Sequence, residues 1–156
     1  MPETSRLMDV NVLAVFLVED HPGHAFVEPR VRAGLQGVYP LWAPDSIPLR
    51  VRWILTHKLG FPKTDADRVI QAFLEHRRVH YAAATRGTYQ RAYALAHSVK
   101  HDVYDTFLIA QAEEVGAAGL LTTDAGLKGA CEWAGLEYEN PVPASVLRDF
   151  SRYQSR

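Results

Sequence analysis

His101-Asp102-Val103-Tyr104-Asp105-Thr106-Phe107-Leu108-Ile109-Ala110 opens the helix around which the rest of the chain is organised. From Asp102 onward Tyr104, Phe107, Leu108, Ala112 and Val115 recur at three- and four-residue steps, the spacing that gives a helix one core-facing stripe, and Gly116 ends it. Gly119-Leu120-Leu121-Thr122-Thr123 then reads as a short strand, and Asp124 stands where it gives way to a further helix over 125–133. A chain that alternates helix and strand this way builds a parallel sheet covered on both faces. Ligands of such sheets gather outside the carboxyl ends of the strands, where Asp124 falls.

Each acid of this stretch, taken alone, also fits a structural role. Asp102 suits a helix N-cap, with Asp105 three residues on reaching back toward it, and Asp124 suits the cap of the following helix. A chemical role requires that carboxylates from elsewhere in the chain converge with them.

Working outward, Arg6-Leu7-Met8 leads into Asp9, and 10–18 is apolar on nearly every side. The pattern predicts a first strand ending near Asp9 with a buried helix behind it. A carboxylate at that edge of the core needs a partner, since an unpaired buried charge costs several kcal/mol or neutralises itself by a strong pKa shift. Helices are expected over 24–36, with Pro29 inside, over 47–59, from 64 to about 76, and over 88–97. Strands are expected over 38–43 and 79–84, a last strand within 137–143, and a final helix over 144–153. Tyr89 and Tyr93, four apart, are assigned to packing; Trp42 and Trp53, flanked by apolar neighbours, to the core or a dimer contact. Without repeats, low-complexity segments or linker composition, the 156 residues are expected to form one domain.

A hydrophobic fraction of 47%, a charged fraction of 22% and a net charge of -1 are those of an ordinary globular protein and argue against a broadly basic nucleic-acid coat. Arg77, Arg78, Arg86, Arg91 and Lys100 nonetheless lie in one stretch that can form a local basic patch. Cys131 is the single cysteine, so it forms no intrachain disulfide, and its place in an apolar helix suggests burial. The seven histidines have no metal-ligand spacing. The N-terminal region has no leader pattern and its apolar run is too short to span a bilayer, which points to a cytoplasmic protein with no membrane partner.

Asp9 at the end of the first strand, the Tyr104-Asp105 pair opening a central helix, Thr122-Thr123-Asp124 ending a later strand and the closing Glu139-Asn140-Pro141 together resemble a PIN domain, from Met8 to about Pro141. In size the chain is similar to the VapC ribonuclease toxins of prokaryotic VapBC toxin–antitoxin pairs. The resemblance implies a three-layer α/β/α fold with a central, mainly parallel sheet flanked by helices. It implies that Asp9, Asp105 and Asp124 meet as catalytic and metal-ligating acids, with Asn11, Thr122, Thr123 and Asp102 supporting them. Carboxylates brought together repel unless a cation neutralises them, and oxygen ligands suit Mg²⁺ or Mn²⁺. The implied activity is hydrolysis of RNA by a homodimeric toxin restrained by a small antitoxin protein, with Arg50, Arg86, Arg91 and Lys100 as candidate phosphate contacts.

The sequence departs from the family pattern at one acid. Arg50, in Arg50-Val51-Arg52-Trp53-Ile54-Leu55, stands where the family has a glutamate, and Asp45, five residues earlier, is a distant substitute. The alternative is therefore a PIN-like RNA- or protein-binding module with weakened catalysis. A phosphotransfer domain, to which Asp9-Val10-Asn11 is loosely similar, lacks a lysine partner and a hydroxyl motif after the first strand.

Overall fold

The computed structural model describes residues 4–153. Its core is a five-stranded sheet in the order β3-β2-β1-β4-β5, formed by β1 (Arg6–Met8), β2 (Leu41–Pro44), β3 (Val79–Ala82), β4 (Gly119–Leu121) and β5 (Glu137–Glu139). All four pairings are parallel. Alternation along the short strands divides the core into two layers. Met8, Leu41, Ala43 and Leu121 pack under α1 (Val10–Leu17), α2 (His24–Leu35), α3 (Ile47–Trp53) and α4 (Lys63–Leu74). Leu7, Leu120 and Trp42 pack under α5 (Arg86–Val99), α6 (Val103–Val115) and α7 (Leu127–Ala134). This is the expected three-layer α/β/α arrangement, with every strand pair parallel.

The chain runs outward from β1 through β2 to β3, then returns across the sheet to place β4 on the other side of β1. β1 and β4 therefore flank the point where the strand order reverses, and a crevice opens there beyond their carboxyl ends. Met8 pairs with Leu121, so Asp9 and Thr122 emerge side by side. The Asp9 amide donates to Leu121 O at 2.9 Å, carrying the ladder one residue further. Close strand approach is possible at Gly119 because it has no side chain; a Cβ there would lie 2.6 Å from Glu137 O.

Several boundaries differ from the sequence expectation for local reasons. The strand expected over 119–123 stops at Leu121, because the Thr122 hydroxyl accepts the Asp124 amide at 3.0 Å and bends the chain out of the sheet. The following helix starts at Leu127 rather than 125. Asp124 Oδ1 takes the Gly126 amide at 2.8 Å in a tight turn, and Gly126, not Asp124, is the cap. The last strand ends at Glu139 because Asn140 Oδ1 accepts the Val142 amide, and Pro141 and Pro143 have no amide to give to a ladder. The expected final helix divides into α8 (Ala144–Leu147) and a 3₁₀ turn over Phe150–Arg152. The helix expected over 47–59 is regular only to Trp53 and continues as a π-helical turn, Ile54–Lys58.

The aromatic assignments hold only in part. The buried face of α5 is Thr88, Ala92 and Leu95. The Thr106 hydroxyl of α6 reaches Ala92 O at 2.7 Å, an approach that a small residue permits and a tyrosine would block. Tyr89 lies half exposed with its ring on Phe107, and Tyr93 is exposed. Trp42 packs against the α5–α7 layer and His80, whereas Trp53 is 52% exposed. Cys131 is buried as expected, and burial pushes its thiol up to about 11.

Candidate active site

A cavity of about 480 Å³ opens over the carboxyl ends of β1 and β4, and Asp9, Asp105 and Asp124 all line it. Each arrives by a different route. Asp9 is the first residue past β1 and begins the turn into α1. Asp124 follows β4 in the turn that its own carboxylate closes. Asp105 lies in the first turn of α6, where Asp102 is the N-cap and accepts the Tyr104 amide at 2.9 Å. Asp102 alone thus satisfies the helix start. Asp105 does not reach back to it, and its side chain is free to face the cavity, with His101 Nδ1 at 4.0 Å.

Two of the three acids have their carboxyls raised above the ordinary range. Asp9 is only 7% exposed, and burial pushes its carboxyl above the ordinary range. Hydrogen bonds from the Thr122 hydroxyl and from the Val10 and Asn11 amides pull it down, while the charge of Asp124 pushes it further up. Asp105 is raised likewise, by burial first and then by Asp124 and Asp102, against the opposing pull of His101. Thr122 is the hub of this geometry. Its buried hydroxyl donates to Asp9 Oδ2 at 3.0 Å and accepts the Asp124 amide, fixing the first and last acids relative to each other.

A divalent cation suits this donor set. Burial raises Asp9 and Asp105, the charge of Asp124 raises both further, and a cation bound among these oxygens would favour their charged forms. Among the described residues no three His, Cys, Asp or Glu side chains close on a single point. Mg²⁺ does not need that, because it keeps several waters and binds through one or two carboxylates.

Of the other candidates, Asn11 and Arg50 line the cavity, Thr123 is buried beside it in sequence, and Asp102 serves its helix. Arg50 forms no ion pair with the three acids; its guanidinium lies over the Tyr104 ring, 5.2 Å from the centroid. Arg86, Arg91 and Lys100 do not line the cavity. They belong to α5 and its C-cap, and Arg91 faces Glu113 of α6 at 3.6 Å. Asp45 is outside it too, with its carboxylate 3.4 Å from the Ala84 amide beyond β3. Trp53, Lys58 and Tyr104, passed over as site residues in the sequence, do line it. Lys58 ends the π-helical turn, four residues past Ile54 and eight past Arg50, at the spacing that keeps it near the helix face they present.

Glu139 of β5, which does not line the cavity, is held by two guanidinium groups, with Arg6 Nε at 3.0 Å and Arg30 Nε at 2.5 Å. Burial pushes the Glu139 carboxyl up, but the two arginines outweigh it and hold it below the ordinary range. Its role is to tie the edge strand to β1 and α2.

Comparison with known proteins agrees with this architecture. Residues 6–132 match the PIN domain family. Among solved structures, the crystal structure of VapBC2 from Rickettsia felis bound to a DNA fragment from its promoter contains a chain that superposes with a TM-score of 0.62. The match has 12% identity and covers 87% of this chain and 98% of that one. A search of curated proteins by sequence finds no match. No helix among the described residues is long and apolar enough to cross a membrane. With the family match running over most of its length, from the first strand through the last acid of the cavity, the chain belongs to the PIN domain family.

Proposed function

We infer that this protein is a metal-dependent endoribonuclease that hydrolyses RNA phosphodiester bonds, acting as the toxin of a toxin–antitoxin pair and restrained by a small antitoxin. The observation that carries the reading is the convergence of Asp9, Asp105 and Asp124, from three distant parts of the sequence, in one cavity at the strand-order reversal. PIN domains are generally nucleases, and the fold likeness to a chain of the VapBC2 complex supports the narrower comparison.

Asp9, Asp105 and Asp124 would hold Mg²⁺ or Mn²⁺, which when bound lowers the pKa of a water and offsets charge building on the phosphoryl group. Thr122 keeps Asp9 and Asp124 in register. Asp105, whose carboxyl burial and the charges of Asp124 and Asp102 raise above the ordinary range, would be the acceptor for the attacking water's proton, since a more basic carboxylate takes a proton more readily. Arg50, which lines the same cavity, would contact a phosphate, a group that a planar guanidinium can hold with two parallel hydrogen bonds.

Arg50 also favours a second reading. A cation in the glutamate's place partly offsets the acids, so that the domain would bind RNA or protein and cut slowly. Incubating the protein with RNA in Mn²⁺ or EDTA, beside Asp9→Asn and Asp105→Asn, decides between the two. Cleavage that needs Mn²⁺ and falls at least about a hundredfold in both variants supports the nuclease, since losing a first ligand or base typically costs that much. RNA binding without metal-dependent cleavage supports the binding module.

A further inference from the structure

We propose that Tyr138 of β5 and Asn140 just past it are positioning residues for the cation site: a one-way hydrogen-bond relay from the Val142 amide through Asn140 and Tyr138 pins the Asp124 peptide, so that the last acid offers its carboxylate to the cavity from a fixed place. The inference rests on the metal site of the proposed nuclease and deepens it.

Neither residue lines the cavity. β4 and β5 run parallel with Leu121 beside Glu139, and the Thr122 amide donates to Glu139 O at 3.0 Å, so the two strands deliver Asp124 and Asn140 to the same edge of the sheet. The relay between them has one direction, set by its first member. The Val142 amide is a donor only and meets Asn140 Oδ1 at 3.0 Å, which turns the side-chain nitrogen of Asn140 the other way. That nitrogen, Nδ2, donates to the Tyr138 hydroxyl at 3.1 Å. With its oxygen serving as acceptor, the phenol gives its single proton to Asp124 O, 3.1 Å away.

Asp124 is otherwise held within its own turn. Its amide goes to the Thr122 hydroxyl, its carbonyl also accepts the Leu127 amide at 3.2 Å, and its Oδ1 takes the Gly126 amide. Oδ2 accepts no hydrogen bond among the described residues, which leaves it for a cation in the cavity that Asp124 lines. The phenol adds a tie from this turn to the edge strand. Partners that orient a metal ligand without touching the metal typically cost about tenfold to a hundredfold in affinity or activity when removed.

The test is calorimetric titration of Mn²⁺ into wild type, Tyr138→Phe, Asn140→Asp and the double variant, with the exposed Tyr93→Phe as control. Phenylalanine keeps the ring, which packs on the α5–α7 layer, and removes only the hydroxyl. Aspartate keeps the acceptor for the Val142 amide but has no proton to give Tyr138, so the phenol turns its own proton to the new carboxylate and releases Asp124. The added negative charge by itself favours a cation, so a loss of affinity in Asn140→Asp marks geometry. Matching thermal melts in EDTA verify folding. Each single variant is expected to weaken Mn²⁺ binding by about tenfold, and the double variant by no more than either one, because both substitutions break the same relay. Single variants within about twofold of wild type, or losses that multiply in the double variant, overturn the relay. The two readings fail separately. A wild type that takes up no Mn²⁺ removes the cation site, and amide exchange at Gly126 and Leu127 then judges the relay: faster exchange in both single variants keeps it as a tie on the turn, and unchanged exchange removes it.

Discussion

Asp9→Asn is expected to make the metal-free protein more stable. Asp9 is nearly inaccessible, its carboxyl is pushed up first by burial, and Asp124 adds repulsion that hydrogen bonds from Thr122, Val10 and Asn11 only partly offset. An acid whose folded pKa lies above its unfolded value holds its proton more tightly when folded. Its stabilising effect is therefore present at low pH and lost as pH rises through the folded pKa, above which the penalty is fully in force. Asparagine keeps the shape and an acceptor for the Thr122 hydroxyl while removing the charge. Relieving a functional-site conflict of this kind contributes about 1–2 kcal/mol, or about 2–8 °C in Tm for a chain of this length. Metal reverses the order. Mn²⁺ at a hundred times its Kd adds about 2.7 kcal/mol to wild type, about 5–11 °C, and close to nothing to the variant. Thermal melts at pH 7 in EDTA and in Mn²⁺, with the exposed Asp149→Asn as control, measure both shifts. An Asp9→Asn protein that melts lower in EDTA and still gains the full Mn²⁺ shift would refute the reasoning and make Asp9 a purely structural acid.

Three further outcomes are expected. Thr122→Val removes the hydroxyl that joins Asp9 to the Asp124 amide; it should cost about 1–3 kcal/mol in urea unfolding and weaken Mn²⁺ binding, and unchanged calorimetry would remove Thr122 from the site. Arg50→Glu places a carboxylate where the guanidinium lies over Tyr104, and should tighten Mn²⁺ about tenfold while weakening RNA binding; loosened Mn²⁺ would show that Arg50 already serves the site. His21, buried against Phe150 and Tyr153 with Nδ1 accepting the Gly23 amide, has its pKa lowered by burial to about 4. The unfolded chain takes up this proton near pH 6.5 and the folded one only near 4, so stability falls as pH drops through that window and levels off below it, by at most roughly 3 kcal/mol. Urea midpoints at pH 7 and pH 4.5 should separate for wild type by more than for His21→Phe; equal separations would place the loss elsewhere.

The sheet was legible in the sequence because its evidence is local. Leu120-Leu121 and Leu7-Met8 are apolar runs of strand length, and each is followed by an acid at the strand's end, which a parallel sheet gathers at one edge. The same logic found Asp105, since Asp102 already accounts for the helix start. What stayed hidden depends on rotation and distance rather than on pattern. Trp53 and Lys58 lie at helical steps from Arg50 and Ile54, but nothing in the sequence marks that face as a cavity wall rather than core or open surface. Tyr89 and Tyr93 look like a core stripe by size, but the close α5–α6 approach buries Thr88, Ala92 and Leu95, leaving Tyr89 half exposed on Phe107 and Tyr93 exposed. Arg86, Arg91 and Lys100 are near Asp105 along the chain, yet α5 carries them along the outside of the layer, away from the cavity.

The most direct test of the central claim, that the three acids form one cation site despite Arg50, is calorimetric titration of Mn²⁺ into wild type and Asp105→Asn at pH 7. Saturable binding by wild type that is lost in the variant is the expected result. A folded wild type that takes up no Mn²⁺, or an Asp105→Asn that binds it as tightly, would contradict the account and leave the acids to their structural roles beside Arg50.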